Sequence, residues 1–129
     1  MGEGFAKILI LDDDASIRAL LRDILEPYFD LIIYGDGLTA LAWMASGNIP
    51  DLIITDLNMP HLSGVELLKT IRESGVFRHV PVIVLSVVSD EEVQKNCFLL
   101  GANNFMSKPF NPEVLRKNIL HTLSSPGRV

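Results

Sequence analysis

Five short apolar runs, each followed by a segment with helical spacing, predict an α/β fold with one parallel sheet covered on both faces. Three observations carry this. The apolar runs are near-continuous instead of alternating, as in strands buried on both sides. Between them, apolar residues recur at three- and four-residue spacing. Turn and cap residues punctuate every junction.

The elements follow in order. "AKILIL" (6–11) is the first strand, and Ile17, Leu20, Leu21, Ile24 and Leu25 form the stripe of a helix closed by Pro27. Asp14 is the expected N-cap of that helix. "LIIY" (31–34) is the second strand, and Gly35-Asp36-Gly37 turns into a helix through Leu41 and Met44 to Gly47. "DLIITD" (51–56) is the third strand. A loop with Pro60 and Gly64 leads to a helix carrying Val65, Leu68 and Ile71. "VPVIVLS" (80–86) is the fourth strand, and Ser89 with Glu92 three residues on reads as a capping box opening a helix that ends at Gly101. In that helix Val93, Cys97 and Leu100 form the buried stripe, which leaves Phe98 and Leu99 off it. "NFMS" (104–107) is the fifth strand. Asn111 as N-cap and Pro112 at the first helical position open the last helix, with Leu115, Ile119 and Leu123 on one face.

The 129 residues suffice for one domain with a real core, expected over 7–124, with an N-terminal extension 1–6 and a tail 125–129. Apolar residues make up 48% and charged residues 21%, a globular balance. A net charge of −5 without a basic stripe argues against direct nucleic-acid binding. The one cysteine, Cys97, excludes an internal disulfide and reads as a small buried apolar residue. No signal-peptide core or membrane-length apolar run is present, and Met1-Gly2 lacks the Ser or Thr of a myristoylation site at position 6, so the cytoplasm is expected. The chain is expected to be a stand-alone protein or a domain excised from a longer one.

In parallel α/β sheets the ligand site lies beyond the carboxyl ends of the strands. Those ends carry Asp12-Asp13, Asp56, Ser86 and Ser107-Lys108-Pro109. Clustered carboxylates with few nitrogen or sulfur donors suit a hard divalent cation such as Mg²⁺, which offsets their repulsion. Mg²⁺, a lysine and a hydroxyl are together what a phosphoryl group needs, and Asp56 at the centre is a candidate nucleophile for it. The scattered His61, His79 and His121 form no triad or ligand spacing, and His61 reads as part of a solvated loop. Gly35 and Gly37 lack a phosphate-cradling pattern.

"LILDDDASIR", "DLIITDLNMPHLSG", "VPVIVLS" and "GANNFMSKPF", in this order and spacing, resemble a response-regulator receiver domain from about Lys7 to Leu123. The resemblance implies the flavodoxin-like strand order 2-1-3-4-5 with five flanking helices. It implies that Asp56 takes a phosphoryl group from a phosphohistidine of a sensor histidine kinase or phosphotransfer protein, and that the chain turns over no metabolite. Asp13 would hold Mg²⁺ directly and Asp12 largely through water, with Asp56 and the backbone carbonyl of Asn58 completing the protein's ligands. Ser86, Lys108 and the Val87 backbone N–H would meet phosphoryl oxygens. Phe105 stands at the family's switch aromatic, and Lys108-Pro109 at its usual cis peptide.

The chain departs from the pattern at Val87, where a small residue is usual, at Phe105, which lacks the hydroxyl of the commoner Tyr, and at the apolar Val88. The resemblance implies the kinase and a downstream target or effector domain as partners. Phe98 and Leu99 off the buried stripe, with Phe105 on the neighbouring strand, point to a face of the fourth helix, fifth strand and fifth helix that binds a partner or, on phosphorylation, a second copy. A receiver fold that no longer takes phosphate is the main alternative. An aspartyl-phosphate phosphatase, faintly suggested by Asp56-Leu57-Asn58, would carry its nucleophile earlier and have a longer chain or a cap. A flavodoxin-like FMN binder would need a hydroxyl- and glycine-rich loop after strand one, which this sequence lacks.

Overall fold

The computed structural model describes residues 5–124. The proposed tail 125–129, most of the extension 1–6, and Met1-Gly2 lie outside them. Strands β1 (Lys7–Leu11), β2 (Asp30–Tyr34), β3 (Leu52–Thr55), β4 (Val82–Ser86) and β5 (Asn104–Ser107) alternate with helices α1 (Ala15–Leu25), α2 (Gly37–Ala45), α3 (Gly64–Glu73), α4 (Glu91–Leu99) and α5 (Pro112–Ser124). All strand pairs are parallel, in the order β2-β1-β3-β4-β5. This is the architecture expected from the sequence.

The period of two along each strand divides the core between the faces of the sheet. Ile8 and Ile10 of β1, Leu52 and Ile54 of β3 and Ile83 and Leu85 of β4 face Leu21, Leu25, Leu115 and Ile119 of α1 and α5. Leu9, Leu11, Ile53, Val82 and Val84 face Met44, Leu67, Leu68, Ile71 and Cys97 of α2, α3 and α4. Burial on both faces explains why the strands read as continuous apolar runs. Trp43 and Phe105 pack partly buried against the second of these layers. No helix among the described residues is long and apolar enough to cross a membrane.

Helix ends show how local chemistry sets the boundaries. Asp14 caps α1 by accepting from the Ser16 and Ile17 N–H groups, and Asn111 accepts from Glu113 and Val114 at the start of α5. At α4 the cap is Asp90, whose carboxylate accepts from the Val93 N–H at 2.9 Å. This corrects the expected Ser89–Glu92 box. An ionised acceptor suits the positive end of a helix, and the Ser89 carbonyl instead accepts from the Gln94 side chain at 2.7 Å. The capping box stands one helix earlier, where Ser63 and Glu66 satisfy each other's backbone N–H groups at α3. On α4, Cys97 is buried, whereas Phe98 and Leu99 are 47% and 76% exposed, off the buried stripe as their spacing predicts.

Candidate functional site

The carboxyl ends of β1, β3, β4 and β5 bring the acidic, hydroxyl and basic residues to one rim. Parallel pairing in register sets this, since Leu11 lies opposite Thr55, Thr55 opposite Val84, and Ser86 opposite Ser107. The next residues, Asp12, Asp56 and Lys108, therefore leave the sheet side by side.

Asp12 and Asp56 are buried and Asp13 is exposed, and one carboxylate oxygen from each lies within 4.8 Å of the others. Two buried carboxylates this close repel each other. Lys108 offsets that repulsion by reaching between them, its Nζ donating to Asp12 Oδ2 at 2.6 Å and to Asp56 Oδ2 at 3.1 Å. Burial raises the pKa of Asp12, against the lowering effect of Lys108 and of the Asp14 N–H that donates to its Oδ1. Burial also disfavours the Lys108 ammonium, but its hydrogen bonds and attraction to Asp12 and Asp56 outweigh burial and raise its pKa. The lysine is thus held charged, while at Asp12 desolvation outweighs the partners that favour the carboxylate.

Each carboxylate is aimed by backbone contacts. The Asp12 N–H donates to the Tyr34 carbonyl, and Arg18 Nη1 donates to the Asp12 carbonyl at 2.7 Å. Asp56 Oδ1 accepts from the Leu57 N–H at 2.7 Å, which leaves Oδ2 toward Lys108. Gly64 closes the loop after β3, its N–H donating to the Leu57 carbonyl at 2.8 Å. A Cβ there would stand 2.1 Å from the Asp56 carbonyl oxygen, so only glycine fits.

Ser86 is fully buried, and its Oγ accepts from the Val88 N–H at 3.1 Å. The Ser86 carbonyl accepts from the Lys108 N–H at 2.9 Å, tying β4 to the lysine. Val87 is 67% exposed. Asn58 is exposed beside Asp56, and the Lys108–Pro109 peptide is cis. Phe105 stands opposite Val84.

Some supporting residues escaped sequence reasoning. Arg18 works through a backbone carbonyl, a contact that leaves no spacing pattern. Arg72 of α3 donates to the carbonyls of Gly101, Arg78 and Val80 and to Asn103 Oδ1, binding the starts of β4 and β5, at the rim opposite the candidate site, to the helix layer. His61 is exposed, as expected of a loop residue, but its Nδ1 lies 3.1 Å from Asp36 Oδ2.

Three carboxylates with no sulfur ligand, one of them solvent-facing, fit a small hard cation that keeps part of its water shell. Asp12, Asp13 and Asp56 are the residues that would hold it.

A family model described as response regulator receiver domain matches residues 8–120. The chemotaxis protein CheY of Pseudomonas aeruginosa is 32% identical over 115 residues, covering 88% of this chain and 92% of that protein. The sensor histidine kinase TmoS of Ectopseudomonas mendocina is 35% identical over 118 residues, which cover 92% of this chain but only 12% of that much longer protein. Among solved structures, the chemotaxis response regulator CheY4 of Vibrio cholerae superposes with a TM-score of 0.83 at 33% identity, covering 92% of this chain and 98% of that one.

Proposed function

The chain belongs to the response regulator receiver domains of two-component signalling, and from that premise we propose that it is a Mg²⁺-dependent phosphoacceptor with Asp56 as the acceptor. The observation that carries this is the placement of the Asp56 carboxylate. It is buried at the end of β3, hydrogen-bonded to Lys108, and within 4.8 Å of oxygens of Asp12 and Asp13.

A carboxylate meets an anionic phosphoryl group only if charge is neutralised on both. Bound Mg²⁺ would supply part of that neutralisation, held by Asp12, Asp13, Asp56 and the Asn58 carbonyl. Lys108 supplies the rest. Its ammonium leaves Asp56 Oδ2 for a phosphoryl oxygen as an oxygen–phosphorus bond forms and the bond from phosphorus to the donor imidazole breaks. Ser86 turns its hydroxyl toward a second phosphoryl oxygen, and the Val87 N–H toward the same group. The Leu57 N–H keeps Oδ1 fixed, so a single oxygen attacks.

The donor is a phosphohistidine of a sensor kinase or phosphotransfer protein, in the cytoplasm. The output runs through the face of α4, β5 and α5, where Phe98 and Leu99 of α4 are exposed and Phe105 of β5 is half-buried, while the exposed Leu120 of α5 lies instead beside Tyr28 and Phe29 just past the end of α1. An inward shift of Ser86 draws the β4–α4 loop with it, and Phe105 follows on the neighbouring strand. This biases the face between two states with different affinity for a target or a second copy.

Intact-mass analysis after incubation with acetyl phosphate and Mg²⁺ tests the acceptor. The parent gains one phosphoryl group and Asp56→Asn gains none. Equal labelling of the variant removes Asp56 from the role, and an unlabelled parent favours an interaction module that no longer takes phosphate.

A further inference from the structure

His61 is the one non-glycine residue with positive φ among the described residues, at 68°. The Leu62 N–H donates to the Pro60 carbonyl at 2.7 Å, which makes residues 60–62 a tight three-residue turn with His61 at its centre. That left-handed form of the turn is rare and strained. Strain of this kind persists only where the surroundings over-determine the conformation.

Here the surroundings are the start of α2. His61 Nδ1 lies 3.1 Å from Asp36 Oδ2, while Asp36 Oδ1 accepts from the Leu38 and Thr39 N–H groups as the N-cap of that helix. Next to it, a Cβ added at Gly37 would stand 3.1 Å from Leu62, so the loop sits directly on the helix start. One carboxylate thus caps α2 with one oxygen and grips the loop with the other.

The loop in question is the one that carries Asn58. Its two ends are fixed by the Leu57 N–H to Asp56 Oδ1 and by Gly64 and the Ser63–Glu66 box. Between them it must pass through the strained turn. We propose that His61 and Asp36 form a positioning latch, in which α2 holds the β3–α3 loop in the conformation that presents the Asn58 carbonyl to the cation. This rests on the phosphoacceptor reading above. His61 touches neither cation nor phosphoryl group, and it acts through the backbone three residues away. The pair is solvent-exposed, so its effect is a modest pre-organisation of the cation site and not a condition for folding.

Calorimetric titration with Mg²⁺ tests the latch on four variants beside the parent. His61→Asn keeps a residue that tolerates positive φ but removes the ring. Asp36→Ser keeps a helix cap but cannot reach His61. Asp36→Asn keeps both the cap and a second hydrogen-bonding atom. The fourth combines His61→Asn with Asp36→Ser. We expect His61→Asn and Asp36→Ser each to weaken Mg²⁺ binding by about threefold, the order of one net hydrogen bond. The double variant should be no weaker than either single, and Asp36→Asn should bind like the parent. Melting without Mg²⁺ should stay near the parent's, as a merely structural role would not allow. Unchanged Mg²⁺ affinity in both single variants, or losses that add in the double variant, would overturn the latch. A parent that binds no Mg²⁺ overturns the cation site itself and the latch with it.

Discussion

At the scale of single residues, Gly64 sets the tightest constraint. Its backbone passes so close to Asp56 that even a methyl group would strike the Asp56 carbonyl oxygen at 2.1 Å. Gly64→Ala must therefore move the Asp56 backbone or the start of α3. We expect a loss of about 2–3 kcal/mol, typical of overpacking, read from urea denaturation, together with slower labelling. Lys108 makes a pH-dependent contribution. Its pKa is raised above the ordinary 10.5 by Asp12 and Asp56, so the folded state holds this proton more tightly than the unfolded chain. That stability is fully present below about pH 10.5 and is lost as pH rises through the higher folded value. Urea melts of the parent and Lys108→Met from pH 7 to 11 check this. The parent's advantage should hold to about pH 10 and shrink above it, and a gap that widens above pH 10 would contradict the ion-pair account.

At the scale of elements, the strands were legible because both faces are buried, so the run from Ile8 to Leu11 carries no polar residue to mask it. The site was legible because parallel strands put their ends together whatever their distance in sequence, which is how Lys108 meets Asp12 across 96 residues. The cap of α4 was not, because Ser89 and Asp90 both suit a helix start and only the competition between them decides. Arg72, Arg18 and His61 were not legible either. Their partners are backbone carbonyls or a distant carboxylate, and no periodicity announces such contacts. The spacing on α4 did expose Phe98 and Leu99, which makes the α4–β5–α5 face testable. Sedimentation with and without a beryllofluoride mimic should show self-association of the parent that strengthens with the mimic, and Leu99→Glu should abolish it. A parent that stays monomeric in both states contradicts the self-association form of the readout.

At the scale of the whole molecule, a carboxylate cluster at the rim of the sheet weakens a fold that the rest of the core stabilises. Lys108 compensates part of that repulsion, and a bound cation should compensate more. Linkage gives about 2.7 kcal/mol of added stability at a hundredfold excess of Mg²⁺ over its Kd, if the unfolded chain does not bind it. Thermal melts should show this in the parent and lose it in Asp13→Ala. Asp13 is exposed, so its removal leaves no buried cavity to confuse the result. A variant that responds to Mg²⁺ like the parent would remove Asp13 from the cation site.

The proposed phosphoacceptor role of Asp56 rests on one covalent bond, to one of the carboxylates at this rim. Borohydride reduces an aspartyl phosphate to homoserine, which marks the acceptor in the sequence. The protein labelled with acetyl phosphate and Mg²⁺, reduced and digested, should yield by tandem mass spectrometry a peptide with homoserine at position 56 and none at 12 or 13. Homoserine at position 12 or 13, or at no position in a protein that has gained the mass of a phosphoryl group, would contradict it.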